Sequence, residues 1–173
     1  MTKAATGKAT LNGLRRGQAT VTVTGLPPFY VAPQAVTVEV PAEGVLALPA
    51  TLPIGANYPN RYLAFGDSIT DGDGSSNGEG YPPMLEDRLK AHFGAGEVLV
   101  DAVSGSYTDE GAARIGRALN RNRPAFTLIL YGTNDWYPCE DAASCYTIPA
   151  LASMVQNVKA AGGLPVLATI IPV

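Results

Sequence analysis

Four short apolar runs after residue 60 constrain the fold of this chain more than any other feature of its sequence. They are YLAF (62–65), VLV (98–100), FTLILY (126–131) and PVLATIIPV (165–173). None of them alternates apolar with polar residues, which is typical of strands that are covered on both faces. Segments with helical periodicity separate the runs, and strands that alternate with helices form parallel sheets. The sequence therefore predicts an α/β fold with a doubly wound parallel sheet.

The segments between these runs carry apolar residues at the spacing that places them on one helix face. The predicted faces are Leu85, Leu89 and Phe93 in the first segment, Ile115 and Leu119 in the second, and Leu151, Met154, Val155 and Val158 in the third. Thr147 and Pro149 are start signals for the third helix, and Gly162–Gly163 is its stop signal.

Residues 1–55 have a different pattern from residues 56–173, and we expect two domains. Val21 and Val23 alternate with threonines, and Val36, Val38 and Val40 alternate with Thr37 and Glu39. This period of two predicts half-buried strands. Together with ATLNGL (9–14) and VLALPA (45–50), the alternating segments predict three or four antiparallel strands, a partial β-sandwich-like region. TLPIGANYPN (51–60) is a predicted linker.

Composition excludes several classes of protein. The chain has 173 residues with 12 basic and 15 acidic side chains, and it has no strongly basic patch for nucleic acid. No run approaches the roughly 20 apolar residues of a membrane span, and MTKAATGKATLNG lacks the apolar centre of a signal peptide. Nothing in the sequence calls for a cofactor, and we predict none.

Cys139 and Cys145 are the only cysteines, and they lie six positions apart. Two cysteines cannot form a zinc site without histidines, and the single histidine is far upstream. A local disulfide is the preferred interpretation, and it indicates an extracellular or periplasmic origin. Two unpaired thiols are the alternative, because spacing does not fix the Cβ geometry.

Three distinctive motifs follow three consecutive predicted strands. FGDSIT contains Ser68, VSGS contains Gly105, and YGTNDW contains Asn134. Because the carboxyl ends of parallel strands meet at one edge of a sheet, we expect these residues to converge. A serine hydroxyl beside flexible backbone and a side-chain amide suits acyl transfer, with Ser68 as nucleophile. Each residue alone could instead be a helix cap or turn residue, but all three together favour a site.

FGDSIT and YGTNDW resemble the signature blocks of the GDSL or SGNH hydrolases, a family of esterases and lipases with a flavodoxin-like sheet. The resemblance covers residues 61–173. It implies that Ser68 is the catalytic nucleophile, and that Ser68, Gly105 and Asn134 form the oxyanion hole. The glycine block is loose, because Asp101 and Ala102 replace the family's usual Asn and Gly.

The family's catalytic Asp and His lie in a D-x-x-H motif that this sequence lacks. The sequence stops at Val173, at the close of the fourth predicted strand, and we expect a truncated domain with impaired activity. His92 is a poor substitute, since the helix that carries it runs away from the site for about 15 Å. We expect it to be a helix-end histidine near the carbonyl dipole.

The segment DGDGSSNGE places polar residues at alternate positions, as in the first half of a calcium loop. These residues are Asp71, Asp73, Ser75, Asn77 and Glu79. Residue 76 is not glycine and the twelfth position is not acidic, so the calcium signature fits poorly. We predict no metal, and we expect a polar loop that borders the acyl site.

The sequence thus predicts a serine esterase that acts on a small carboxylic ester, with acylated or acetylated carbohydrate as one substrate class. The alternative is a non-catalytic module that binds carbohydrate or a partner on a degenerate hydrolase scaffold. The fourth strand would be an uncharged apolar edge of the kind that recruits other strands. We therefore expect a homo-oligomer or a complementing C-terminal fragment as partner.

Overall fold

The computed structural model describes residues 13–26, 30–40, 46–136, 139 and 145–169. The chain divides into two compact units, Met1–Pro53 and Ile54–Val173. This division lies two residues before the boundary expected from the sequence. In the described residues, every buried apolar side chain belongs to the second unit.

The first unit contains a pair of antiparallel strands, β1 (Gly17–Val21) and β2 (Val36–Val40). Valines on both strands are half-buried and the threonines between them are exposed, which agrees with the predicted period of two. A single antiparallel bridge joins Val31 to Thr51. The described part of the unit therefore has two strands and not the three or four expected. Residues 46–50 form no strand, and most of the segment 9–14 lies outside the described residues.

The second unit alternates strands with helices, as predicted. Its elements are β3 (Tyr58–Gly66), α1 (Ser68–Asp71), α2 (Pro82–Phe93), β4 (Glu97–Ala102), α3 (Thr108–Asn122), β5 (Pro124–Leu130), a 3₁₀ turn (Asn134–Trp136), α4 (Thr147–Ala160) and β6 (Leu164–Leu167). All neighbouring strands are parallel, and their order in the sheet is β4-β3-β5-β6. The structure thus confirms an α/β fold with a parallel sheet and a small separate antiparallel sheet.

The core lies between the central strands and helices α3 and α4. Its buried apolar members are Leu63, Phe65, Ile115, Ala118, Leu119, Ile129, Tyr131, Leu151, Met154 and Val158. The predicted helix faces supply five of these ten residues, namely Ile115, Leu119, Leu151, Met154 and Val158. The predicted face of α2 is not among them, and Phe93, the last residue of that helix, is 69% exposed. Helical spacing places Phe93 in line with Leu89 but does not show that the helix ends at this residue.

Strand β6 is shorter than predicted. It ends at Leu167, although the N–H of Ala168 still donates to Ile129 O at 3.0 Å, and residues 170–173 lie outside the described residues. Val166 and Leu167 of this strand are exposed, at 42% and 49%. Association through this strand stays a prediction. Light scattering at micromolar concentration tests it, and a stable monomer of 18.0 kDa would contradict it.

Candidate active site

Ser68 is the first residue of α1 and follows the end of the central strand β3. Asp67 has an extended backbone and caps the helix, since its Oδ1 accepts a hydrogen bond from the N–H of Ile69 at 3.0 Å. A Cβ added to Gly66 would lie 2.0 Å from Thr70 Oγ1, so only glycine permits this tight turn. The turn leaves Ser68 half-buried at the carboxyl end of the sheet.

Gly105 lies in the loop that follows β4. Its φ of +78° is in the left-handed region that favours glycine. The loop contacts the end of β3, because the N–H of Val103 donates to Gly66 O at 3.1 Å. It therefore lies beside the turn that carries Ser68.

Asn134 begins the 3₁₀ turn that follows β5. Its Nδ2 donates to Ser106 O at 2.9 Å, which ties the Asn134 amide to the residue after Gly105. One hydrogen of an amide NH₂ group is enough for this bond, so the second hydrogen is free to serve another acceptor. The structure thus brings the three sequence-predicted loops together at one edge of the sheet.

Two buried carboxylates lie beneath these loops, and the sequence analysis did not single them out. Asp135 Oδ1 accepts from the Thr108 N–H at 3.3 Å, from Thr108 Oγ1 at 2.5 Å and from Thr147 Oγ1 at 3.1 Å. Burial raises the pKa of Asp67, and the charge of nearby Asp135 adds to the rise. The sequence signal for Asp67 was its place directly after a buried strand, and that for Asp135 was its place beside Asn134 in the YGTNDW motif.

A disulfide joins Cys139 to Cys145. It holds the segment after Asn134, because the N–H of Cys139 donates to Asp135 O at 3.0 Å. The Thr147 hydroxyl lies 3.0 Å from Cys145 Sγ and also contacts Asp135. Trp136, at the end of the 3₁₀ turn, is 71% exposed. The disulfide therefore anchors the neighbourhood of the candidate site to the start of α4.

The acidic loop after α1 borders the Gly105 loop, as expected. Ser104 Oγ donates to Asp73 Oδ2 at 2.7 Å and lies 3.4 Å from Asp71 Oδ2. Ser75, Asn77 and Glu79 instead bond to one another within the loop. Across the described residues, no cluster of acidic, histidine or cysteine side chains could hold a metal ion.

His92 lies outside the site. It is exposed in the last turn of α2, where its ring meets the edge of Phe93 at a centroid distance of 4.5 Å. Helix α2 ends four residues before the start of β4, at the opposite end of the sheet from Ser68. Within the described part of the chain, Ser68 Oγ has no side-chain hydrogen-bond partner.

Comparison with known proteins shows which family the chain belongs to. The model of the GDSL-like lipase/acylhydrolase family matches residues 64–173, which include all three strand-end motifs. The chain belongs to this family. Its membership agrees with the resemblance of FGDSIT and YGTNDW to the GDSL signature blocks.

Two curated relatives are hydrolases. Thioesterase 1/protease 1/lysophospholipase L1 of Escherichia coli (strain K12) is 29% identical over 105 residues, which cover 61% of this chain and 48% of the relative. An arylesterase of Vibrio mimicus is 32% identical over 75 residues, covering 43% of this chain and 38% of the arylesterase. The chain thus spans about half or less of these relatives.

Solved GDSL-type structures share the fold of the second unit. TesA superposes with a TM-score of 0.55 at 30% identity, covering 62% of this chain and 58% of TesA. The SGNH-hydrolase family esterase AlinE4 superposes with a TM-score of 0.55 at 28% identity, covering 65% of this chain and 60% of AlinE4. In the described residues, no helix is both long and apolar enough to cross a membrane.

Proposed function

We propose that this chain is a serine esterase that hydrolyses carboxylic esters. Ser68 Oγ attacks the ester carbonyl carbon, and the carbonyl oxygen takes the negative charge. The N–H groups of Ser68 and Gly105 and the amide of Asn134 donate hydrogen bonds to that oxygen. The observation that carries this proposal is the joining of the three loops through the Val103–Gly66 and Asn134–Ser106 hydrogen bonds.

These donors suit an oxyanion better than a neutral carbonyl. A donor that is already fixed needs no reorganisation when charge develops, and in known enzymes one such donor contributes roughly 2.7–4 kcal/mol to transition-state stabilisation. Asn134 is fixed by its bond to Ser106 O, and its second N–H remains for the oxyanion. The left-handed backbone of Gly105 lets a substrate approach without a side chain in the way.

The serine hydroxyl gives up its proton during the attack, so hydrolysis also needs a general base that accepts this proton. Aryl esters and thioesters are the substrates that should react fastest, because their leaving groups need little protonation.

The relatives support a hydrolase over a non-catalytic binding module. One is named a thioesterase and another an arylesterase, and both classes have activated leaving groups.

Covalent labelling with a fluorophosphonate tests the proposal directly. We expect intact mass to show one adduct on the wild-type chain and none on Ser68→Ala. Ser76→Ala is the matched control, because Ser76 is an exposed serine in the neighbouring acidic loop and should label like wild type. An unlabelled wild-type chain, or equal labelling of Ser68→Ala, would contradict the proposal.

We propose an extracellular or periplasmic location on the basis of the Cys139–Cys145 disulfide. Thiol titration of the denatured protein, purified from its native compartment, checks this. A closed disulfide leaves neither of the two cysteines reactive, whereas two titratable thiols would contradict the proposed location.

A further inference from the structure

One guanidinium group contacts the carboxyl ends of three strands. Arg114 of α3 donates from Nη2 to Gly66 O at 2.9 Å, to Asp101 O at 3.1 Å and to Tyr131 Oη at 2.6 Å. Its Nη1 also pairs with the Asp101 carboxylate. Gly66 ends β3, Asp101 is the penultimate residue of β4, and Tyr131 follows β5 directly. These are the three strands that precede Ser68, Gly105 and Asn134.

The surroundings of Arg114 hold its guanidinium in one orientation. Its Cζ lies 4.1 Å from the centroid of the Phe65 ring, and the side chain is 21% exposed. A guanidinium is planar and offers several donors in a fixed fork, so it can bind several acceptors at once. A lysine ammonium carries the same charge but cannot reproduce this fork.

The Tyr131 hydroxyl connects Arg114 to the loop that contains Gly105. Ser106 Oγ donates its single hydrogen to Val103 O at 2.7 Å, so it must accept from the Tyr131 hydroxyl at 3.1 Å. The Tyr131 oxygen in turn accepts from Arg114. Ser106 O accepts from the Asn134 amide. Hydrogen bonds therefore link Arg114 through Tyr131 to Ser106, whose side chain bonds to Val103 O and whose backbone carbonyl holds the Asn134 amide.

We propose that Arg114 is a positioning residue, which acts through Tyr131 to hold the Gly105 loop and the Asn134 amide in the geometry of an oxyanion hole. The inference rests on the proposed function for its catalytic consequence. Donors must lie within about 0.5 Å of their productive positions to be effective. A displacement of about 1 Å can lower a rate roughly 100-fold.

Arg121 provides a matched control on the same helix. It pairs with the other oxygen of the same carboxylate, Asp101 Oδ2, at 2.7 Å, but its side chain is 66% exposed. Arg121→Gln therefore removes an ion pair to Asp101 and leaves the contacts of Tyr131 in place. Tyr131→Phe does the reverse, because it removes the hydroxyl and keeps the ring that packs 5.6 Å from Phe65.

The first measurement is the kinetics of fluorophosphonate labelling, separated into the maximal rate and the concentration for half-maximal rate. We expect Arg114→Lys and Tyr131→Phe to lower the maximal rate roughly 10- to 100-fold, with the half-maximal concentration within about twofold. Arg121→Gln should label like wild type. The double variant Arg114→Lys/Tyr131→Phe should label no more slowly than Arg114→Lys alone, since both changes break the same hydrogen-bond network. Unchanged labelling of Arg114→Lys, or an equal loss in Arg121→Gln, would overturn the proposal.

The second measurement does not need a reactive serine. Amide NMR spectra report the Asn134 side-chain NH₂ and the backbone N–H groups of Gly105 and Ser106. We expect Arg114→Lys and Tyr131→Phe to shift these signals and Arg121→Gln to leave them in place. If the wild-type chain does not label, the proposed function fails and this measurement alone decides the positioning role. If Arg114→Lys does not fold, Tyr131→Phe decides it, and unmoved signals in that variant would overturn the proposal.

Discussion

At the amino end of the parallel sheet, Arg61 and Glu97 pair across β3 and β4 at 2.7 Å, with side chains 25% and 52% exposed. At the carboxyl end, Asp67 and Asp135 are 1% and 2% exposed. The described residues include seven buried polar side chains. Six of them lie in the loops and helix starts around the carboxyl end of the sheet, and the exception is Thr127 in β5. Polar groups are costly to bury unless they are hydrogen-bonded, so the two ends of the sheet differ in how strongly their stability depends on a buried polar network.

Among substitutions at the two ends of the sheet, we expect Asn134→Ala at the carboxyl end to have the largest effect on the reaction rate. Loss of one oxyanion donor should lower the acylation rate with an activated aryl ester roughly 100- to 1,000-fold and leave KM nearly unchanged. Asn157→Ala is the control, because among the described residues the Asn157 side-chain amide bonds to Ser153 within α4. An unchanged turnover number would remove Asn134 from the mechanism.

Gly66→Ala should cause the largest loss of stability. The new Cβ would lie 2.0 Å from Thr70 Oγ1 and 2.7 Å from the backbone oxygen of Leu130, which cannot move aside freely. We expect the free energy of unfolding in urea to fall by about 3 kcal/mol. Gly116→Ala on α3 meets no atom within 4 Å and should instead raise stability by about 0.5–1 kcal/mol. Equal stability of the two variants would show that the strand end is not tightly packed.

Asp67→Asn should change how stability depends on pH. Burial raises the pKa of Asp67, so the folded chain binds a proton that the unfolded chain releases above about pH 4. Stability is then lost as the pH rises from about 4 towards the folded pKa. The amide of the variant side chain would still offer an oxygen to the Ile69 N–H but would not titrate, so the loss between pH 4 and pH 7 should be smaller in the variant.

Urea denaturation at several pH values measures this difference. Asp87→Asn, at an exposed position on α2, is the control and should follow the wild-type pH dependence. A steeper loss of stability in Asp67→Asn than in wild type would contradict the assigned direction.

Glu97→Gln, at the amino end, should have the smallest effect. Exposed ion pairs contribute less than about 1 kcal/mol, and Arg61 keeps its second bond to Asn122 O at 2.9 Å. The small loss of stability should shrink further at high salt. A loss as large as that of Gly66→Ala would break the comparison between the two ends of the sheet.

Sequence patterns predicted the features that depend on local order. The strand ends carrying Ser68, Gly105 and Asn134 could be placed together because parallel topology fixes which loops are neighbours. Phe93 shows the limit of periodicity, since helical spacing places it in line with Leu89 but does not show that α2 ends there with the side chain exposed. Arg114 shows another limit, because its partners Asp101 and Tyr131 are 13 and 17 positions away and become neighbours only in the folded sheet.

The β unit shows a third limit. Alternation at Val36–Val40 correctly marked a strand, but a period of two does not tell how many further segments find partners. The disulfide was one of two interpretations for the same reason, since the approach of Cys139 to Cys145 depends on three-dimensional geometry.

Trp136 gives the chain a spectroscopic reporter at its candidate site. It is the only tryptophan in the sequence, it is 71% exposed, and it lies two residues after Asn134. Indole emission in the native protein therefore comes from this one solvent-facing position and reports little on the core. Its maximum should already lie near that of free tryptophan, and it should shift to shorter wavelength when an acyl or aryl group covers the ring. A shift on addition of an activated ester would place Trp136 within reach of the bound acyl or aryl group, and an unchanged emission maximum would show that the ring lies away from it.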